Sequence, residues 1–270
     1  MTCQLCDQKV VIKEPSYCKT HFIEYFENNV LKTIKKFKLF NKKDNLIVAV
    51  SGGKDSLTIL HILKKYNYNV SALAIDEGIT GYRDKSLITV KQFCKKNTID
   101  LKIVSFESSF KQSLDNILKN YNERPCTICG IFRRYLLNLY SKEYDAIVTG
   151  HNMDDEAQAI IMNLVKNNVT SLNRQGPISG LSDKKGFTKR VKPLYLCSEK
   201  EVMIYSFFNK LTTEFNECPN VSQSFRLRIR DQLNNLENSN KGSKKNIINW
   251  FINYKKKLVL PNENIETKKC

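Results

Sequence analysis

The sequence predicts an α/β fold: a doubly wound parallel sheet carrying two smaller appendages. Three observations support this. Strand-like runs rich in Val and Ile fall at residues 46–50, 70–75, 101–106 and 146–148, with helix-like segments between them at 56–66, 84–97, 110–120 and 131–140. Such a rhythm covers a parallel sheet with helices on both faces and leaves ligands at the carboxyl ends of the strands. The first run passes straight through a glycine turn into a helix, a local order that makes an anion site. The length of 270 residues, 41% of them hydrophobic, suffices for one full α/β core with small additions. The expected divisions are residues 1–25, a main domain with its leading helix over 26–222, and a basic helical extension over 223–270.

At the N-terminus Cys3, Cys6, Cys18 and His21 form a CxxC pair, an 11-residue spacer and a CxxH pair. Two close ligand pairs around a short knuckle are the layout of a tetrahedral structural zinc site. So small a piece builds no core of its own, and zinc, which contributes roughly 10–16 kcal/mol in finger peptides, would hold it together. Phe22, Ile23, Phe26, Val30, Ile34 and Phe37 then recur at helical spacing, with Lys32, Lys35, Lys36 and Lys38 on the polar side.

The central stretch is LIVAV followed by Ser51, Gly52, Gly53, Lys54, Asp55 and Ser56. Glycines let backbone N–H groups approach an anion, and the helix start adds partial positive charge. Lys54 and the hydroxyls of Ser51 and Ser56 are further donors. Val48 and Asp55 stand where a Walker A loop has a glycine and a Ser or Thr. An acid in a phosphate cradle must work through Mg²⁺ or water, because a bare carboxylate repels the anion.

Further along, Asp76 and Glu77 end the second run, either beside a nucleotide's base or ribose or as a solvated pair. Cys126 and Cys129 form a CxxC ahead of Arg133 and Arg134. Redox, zinc and iron–sulfur roles are all open to it, and thiolates near a helix start and arginines are expected to have depressed pKa values. Gly150, His151, Asn152, Met153, Asp154, Asp155 and Glu156 close the fourth strand and open a helix, whose first-turn acids suit the macrodipole or, facing the glycine turn, Mg²⁺. His151 and His61 read as structural. Residues 167–192 lack periodicity and read as a mobile basic loop near the site, a lid in form. A helix follows from Ser198, then Glu217-Cys218-Pro219 and a basic stretch with Arg226, Arg228 and Arg230. Cys94 and Cys197 read as packing residues, and a Lys-rich helix follows Gly242.

The net charge is +17, from 44 Lys plus Arg against 27 Asp plus Glu. That favours a polyanionic partner, nucleic acid before an anionic membrane. Because Lys outnumbers Arg 35 to 9, base-composition bias is the competing source of the excess. No run reaches 18 apolar residues and no signal-peptide core opens the chain, so the expectation is a soluble cytoplasmic protein without membrane contact. The nine cysteines suit metal ligation there better than disulfides.

Taken together and in order, the CxxC/CxxH, SGGKDS, CTICG-IFRR, GHNMDDEA, KPL and ECP motifs resemble the tRNA 2-thiouridine synthetases of the TtuA and archaeal NcsA type. These are PP-loop ATP pyrophosphatases with a HUP-like fold, related to the eukaryotic cytoplasmic wobble-thiolation protein. The resemblance covers nearly the whole chain. It implies zinc on Cys3, Cys6, Cys18 and His21, and ATP with Mg²⁺ on Ser51, Gly52, Gly53, Lys54, Asp55 and Ser56, helped by Ala49, Val50, Ile75, Gly150 and Asp155. Asp55, Asp155 and Arg133 are the implied catalytic groups, and Cys126, Cys129 and Cys218 the implied ligands of a 4Fe–4S cluster. Three thiolates leave one iron open for hydrosulfide.

The implied activity is adenylation of O2 of a tRNA uridine, then sulfur transfer through the cluster to C2, at the wobble position in preference to the T-loop. Sulfide or a sulfur carrier is the implied donor, and a homodimer the implied assembly. The family's second zinc ribbon is missing before Cys270, so it is expected to be lost or cut off. Rival readings are persulfide on Cys126, Cys129 or Cys218 without a cluster, tRNA 2-thiocytidine formation, and a zinc-dependent RNA-binding module with a vestigial ATP site.

Overall fold

The computed structural model describes residues 2–121, 124–179, 186–211, 218–221 and 224–255. Two short antiparallel hairpins come first, Thr2–Cys3 with Cys6–Lys9 and Ile12–Lys13 with Ser16–Tyr17. Helix α1 (Lys19–Lys36) follows and buries Phe22, Phe26, Val30 and Ile34, four residues apart on one face.

The main sheet begins with β1 (Asn45–Val50), α2 (Lys54–Lys65), β2 (Asn69–Asp76), α3 (Arg83–Lys96) and β3 (Leu101–Ser105). Three helices, α4 (Phe106–Phe110), α5 (Leu114–Asn120) and α6 (Pro125–Leu139), then lead back to β4 (Ala146–Thr149). After it come α7 (Met153–Val165), α8 (Val169–Asn173), β5 (Ile178–Ser179), β6 (Arg190–Val191) and α9 (Glu199–Phe208). Helices α10 (Phe225–Ser239) and α11 (Ser243–Tyr254) complete the described chain.

The strand order is β3-β2-β1-β4-β6-β5, parallel throughout except for β5, which runs antiparallel along β6 at the edge. The chain winds outward from β1 to β3, then returns to place β4 on the other side of β1. This makes a topological switch point between β1 and β4, where an open α/β sheet leaves its ligand crevice.

Alternation along β1 explains the two cores. Leu46, Val48 and Val50 enter the cluster that includes Leu60, Val90 and Val202, while Ile47 enters the other with Leu114 and Leu136. A third cluster joins α7, α10 and α11 through Ala157, Ile160, Leu233, Ile248 and Phe251. Cys94 and Cys197 are buried, as packing residues are. Among the described residues no helix is long and apolar enough to cross a membrane.

Several boundaries differ from expectation. Phe106 opens α4 instead of closing β3, because Ser105 caps the helix by accepting from the Ser108 amide. The helix expected over 110–120 is broken at Lys111, whose φ of 59° ends α4 before Ser113 caps α5. Helix α6 starts at Pro125, so the CxxC lies inside its first turns.

The lid expected over 167–192 is mostly ordered structure, with α8, β5 and β6 in it, although residues 180–185 lie outside the described residues. Val191 extends the sheet beside Val148. Strands of two residues carry no readable alternation, which is why they escaped the pattern. Glu123, Glu217 and Cys270 also lie outside the described residues.

Candidate active site

The crevice is built on two glycines. Gly52 has φ +89°, and a Cβ there would lie 2.5 Å from the Ser86 carbonyl oxygen. Only glycine turns the chain so tightly between β1 and α2. Inside the turn the Ser56 hydroxyl accepts from the Ser51 amide at 3.2 Å and donates to the Gly53 carbonyl at 3.0 Å. The Gly53 amide reaches the Ser51 hydroxyl at 3.4 Å. Gly150, after β4, packs directly on this turn: a Cβ would meet the Asp55 carbonyl carbon at 2.7 Å and the Ser56 nitrogen at 2.8 Å.

Close packing of the two loops brings their acids together. Asn152 caps α7 in a capping box with Asp155 and donates its side-chain amide to Asp55 Oδ1 at 2.9 Å. Burial holds the Asp55 and Asp155 carboxyls above the usual carboxylate range, and for Asp55 the neighbouring Asp155 charge adds to the rise. Cations balance them. Lys54 Nζ lies 3.2 Å from Asp55 and 2.9 Å from Glu199, and Arg226 lies 3.3 Å from Asp155. Ala49 and Val50 end β1 and Ile75 lies near the end of β2, so all three border the same rim.

Asp76 and Glu77 are not a solvated pair, since Glu77 is buried. Asp76 accepts the Gly78 amide at 3.0 Å and closes a turn. Glu77 is buried between two arginines, with Arg83 at 2.9 Å and Arg133 at 3.1 Å. Arg83 also donates to the Ser51 carbonyl at 2.8 Å and to the Ile75 carbonyl. Arg133 is thereby connected to the glycine turn through Glu77 and Arg83.

Cys126 is exposed, whereas Cys129 and Cys218 are half-buried. Cys126 and Cys218 line one cavity of about 950 Å³ together with Asp155, Glu199 and Arg226. The short turn Pro219–Val221 packs on α6, with Cys126 Sγ 4.0 Å from the Asn220 carbonyl. Cys129 and Cys218 both pack against the apolar cluster around Leu136.

The expected depression is overturned at Cys129. Burial pushes Cys129 up to about 11, because Arg133, already paired with Glu77, offsets only part of the desolvation, and burial also raises Cys218. A soft, apolar-walled set of three thiols separated in this way fits an iron–sulfur cluster better than a single ion. The trio does not converge as the N-terminal ligands do.

Those N-terminal ligands do converge. The Sγ atoms of Cys3, Cys6 and Cys18 lie 3.3, 3.4 and 3.4 Å from His21 Nδ1, and Cys6 and Cys18 are 3.7 Å apart. A tetrahedron around zinc, with bonds of about 2.3 Å to sulfur and about 2.0 Å to nitrogen, has edges of about 3.8 and 3.5 Å. Cys18 caps α1 and His21 sits in its first turn, so both face the knuckle.

His151 bonds Thr149 at 2.9 Å, and His61 packs near the rings of Phe93 and Tyr205. Asn152, Glu199, Arg83 and Arg226 escaped the sequence reading as site residues. Asn152 was findable, because Asn followed three positions later by Asp is a capping-box pattern. Arg83 carried no signal, since nothing in the sequence separates a buried arginine from a solvated one.

The comparisons agree with this geometry. Residues 23–237 match the model of the PP-loop domain family. The chain is 37% identical to the tRNA-5-methyluridine(54) 2-sulfurtransferase of Pyrococcus horikoshii, covering 100% of this chain and 88% of that one. It is 38% identical to cytoplasmic tRNA 2-thiolation protein 1 of Danio rerio, covering 87% and 73%. Among solved structures it resembles the U34-tRNA thiolase NcsA of Methanococcus maripaludis with its [4Fe-4S] cluster, at 34% identity and a TM-score of 0.85 over 96% of this chain and 90% of that one. The chain belongs to the PP-loop family of tRNA 2-thiolation enzymes.

Proposed function

We propose that the chain converts a tRNA uridine to 2-thiouridine at the expense of ATP. The observation that carries this is one cavity lined by Asp155 together with Cys126 and Cys218. In this reading ATP lies on Ser51, Gly52, Gly53, Lys54 and Ser56, with Ala49, Val50, Ile75 and Gly150 as the rim. The amides and hydroxyls of the turn take phosphate oxygens. Asp55 and Asp155 would hold Mg²⁺, which would let two carboxylates assist at a polyphosphate. Lys54, now between Asp55 and Glu199, swings to the phosphates when nucleotide binds.

The C2 oxygen of uridine attacks the α-phosphorus and pyrophosphate leaves. Sulfide then adds at C2 and AMP departs with the oxygen, so no redox change is needed. A [4Fe–4S] cluster on Cys126, Cys129 and Cys218 would supply an iron position open to sulfide when bound. Arg133, held by Glu77, keeps positive charge between Cys129 and the glycine turn. Zinc on Cys3, Cys6, Cys18 and His21 would be structural, because all four positions are filled by protein. Sulfide or a sulfur carrier is the donor.

The wobble uridine is the proposed target, supported by the likeness to a U34 thiolase. Mass spectrometry of tRNA treated with the anaerobically reconstituted protein, ATP and sulfide tests the assignment. 2-Thiouridine at position 34, lost in Cys218→Ser with ATP binding retained, is the expected result. Thiolation mapped to position 54 would overturn the wobble assignment, and an active Cys218→Ser variant would remove that ligand.

A further inference from the structure

Phe225 opens α10 immediately before Arg226, and its half-buried ring lines the cavity that holds Asp155, Cys126 and Cys218. Two cations stand over it: Lys166 Nζ is 5.0 Å from the ring centroid and the Arg228 guanidinium is 5.6 Å away. Lys166 comes from the end of α7 and Arg228 from α10, and both line the same cavity. Among the described residues neither is in an ion pair, unlike Lys54 and Arg226.

An aromatic face kept in a polar cleft under cations without carboxylate partners has a specific chemical complement. Single-stranded RNA offers flat bases to stack on aromatic rings and phosphates for Lys and Arg, and it is read in this way once its bases are splayed apart. A role only in holding α10 against α7 is already filled, since Leu233 and Ile160 share an apolar cluster and Arg226 bonds Asp155 across the same joint. At about 950 Å³ the cavity has room for a nucleotide and an incoming base, since ligand sites span roughly 300–1,000 Å³.

We propose that Phe225 is the stacking platform for the nucleobase adjacent to the reacting uridine, with Lys166 and Arg228 binding the phosphates that flank it. This rests on reading the cleft as the RNA thiolation site. Bound RNA draws the two cations off the ring to its phosphates and leaves the ring face to the base. Phe225 is then a positioning residue: it fixes where the strand lies and does not touch the reacting atoms.

The test compares Phe225→Leu, Phe225→Trp, Lys166→Gln and Arg228→Gln for binding of an unmodified tRNA transcript over a salt series, together with ATP affinity, melting temperature and steady-state thiolation. Phe225→Leu is expected to weaken tRNA binding at least about fivefold, the low end of what one stacked base contributes. It should raise KM for tRNA with ATP affinity and melting unchanged, and Phe225→Trp should restore binding. Each cation variant should flatten the plot of log affinity against log salt by about 0.7. Wild-type tRNA affinity and KM in Phe225→Leu would overturn the platform, as would equal loss in the Leu and Trp variants with lowered melting. If the wild-type protein thiolates no tRNA, the reading of the cleft fails and the platform goes with it. If it does thiolate and Phe225→Leu is silent, only the platform fails.

Discussion

Two side chains that are absent, at Gly52 and Gly150, shape the site more than any that are present. A methyl group on Gly150 would collide with the Asp55 backbone at 2.7 Å and force the two loops apart. Displacement by about 1 Å costs a positioned reaction about 10²-fold. Gly150→Ala should therefore lose pyrophosphate release by that order, with its circular dichroism unchanged. The acids behind these loops work against the stability of the ligand-free fold. Because burial raises the Asp155 pKa above its ordinary 3.8, ionising it costs stability, and the cost develops as pH rises through 3.8 toward the raised value. Asp155→Asn keeps the capping acceptor and removes the charge. It should melt a few degrees higher than the wild type at neutral pH, converge with it below 3.8, and be inactive.

At the scale of elements, the helices are tied together by a few buried charges. Glu27 of α1 accepts from Lys65 at 2.7 Å, from Tyr66 at 2.8 Å and from Tyr205 of α9 at 2.6 Å. Burial alone would raise this carboxyl, yet those three donors hold it below its ordinary 4.5. Its contribution is present above 4.5 and is lost as pH falls through the lower folded value. Glu27→Gln should thus melt lower than the wild type near neutrality and show a flatter acid limb in a pH series of melting curves. The N-terminal hairpins are held otherwise. Apart from Ile12, Cys3 and Cys18 they bury no hydrophobic residue among those described, so apolar packing does little to order them and a metal on the converged Cys/His set would. Chelation should release one zinc per chain and open residues 2–18 to protease, leaving the sheet domain intact on the gel. The α1 periodicity and the CxxC/CxxH spacing made both elements readable in sequence; the capping that splits α4 from α5 was not, because it depends on one left-handed residue at Lys111.

For the whole molecule, the C-terminal helices are part of the site's frame. Lys244 of α11 reaches the buried Asp154 and also Asn234 at 2.6 Å, while the Glu199 amide donates to Asp154 at 2.8 Å. One carboxylate beside the cleft therefore ties α7, α9 and α11 together. Lys244→Ala strands a buried charge, and a loss of about 3–5 kcal/mol in chemical unfolding is expected. The sequence by itself determined the sheet, the glycine turn and the grouping of Cys3, Cys6, Cys18 and His21, because each is a local pattern of spacing and residue type. The cysteines and the acids of the cleft were also legible as candidates. Only the tertiary structure decided that Glu77 is buried between Arg83 and Arg133, that Asn152 bridges to Asp55, and that Cys126 and Cys218 share a cavity with Asp155. Contacts between residues tens of positions apart leave no periodic trace in a chain; they exist because the switch point between β1 and β4 and the packing of α10 on α7 bring those residues to one crevice.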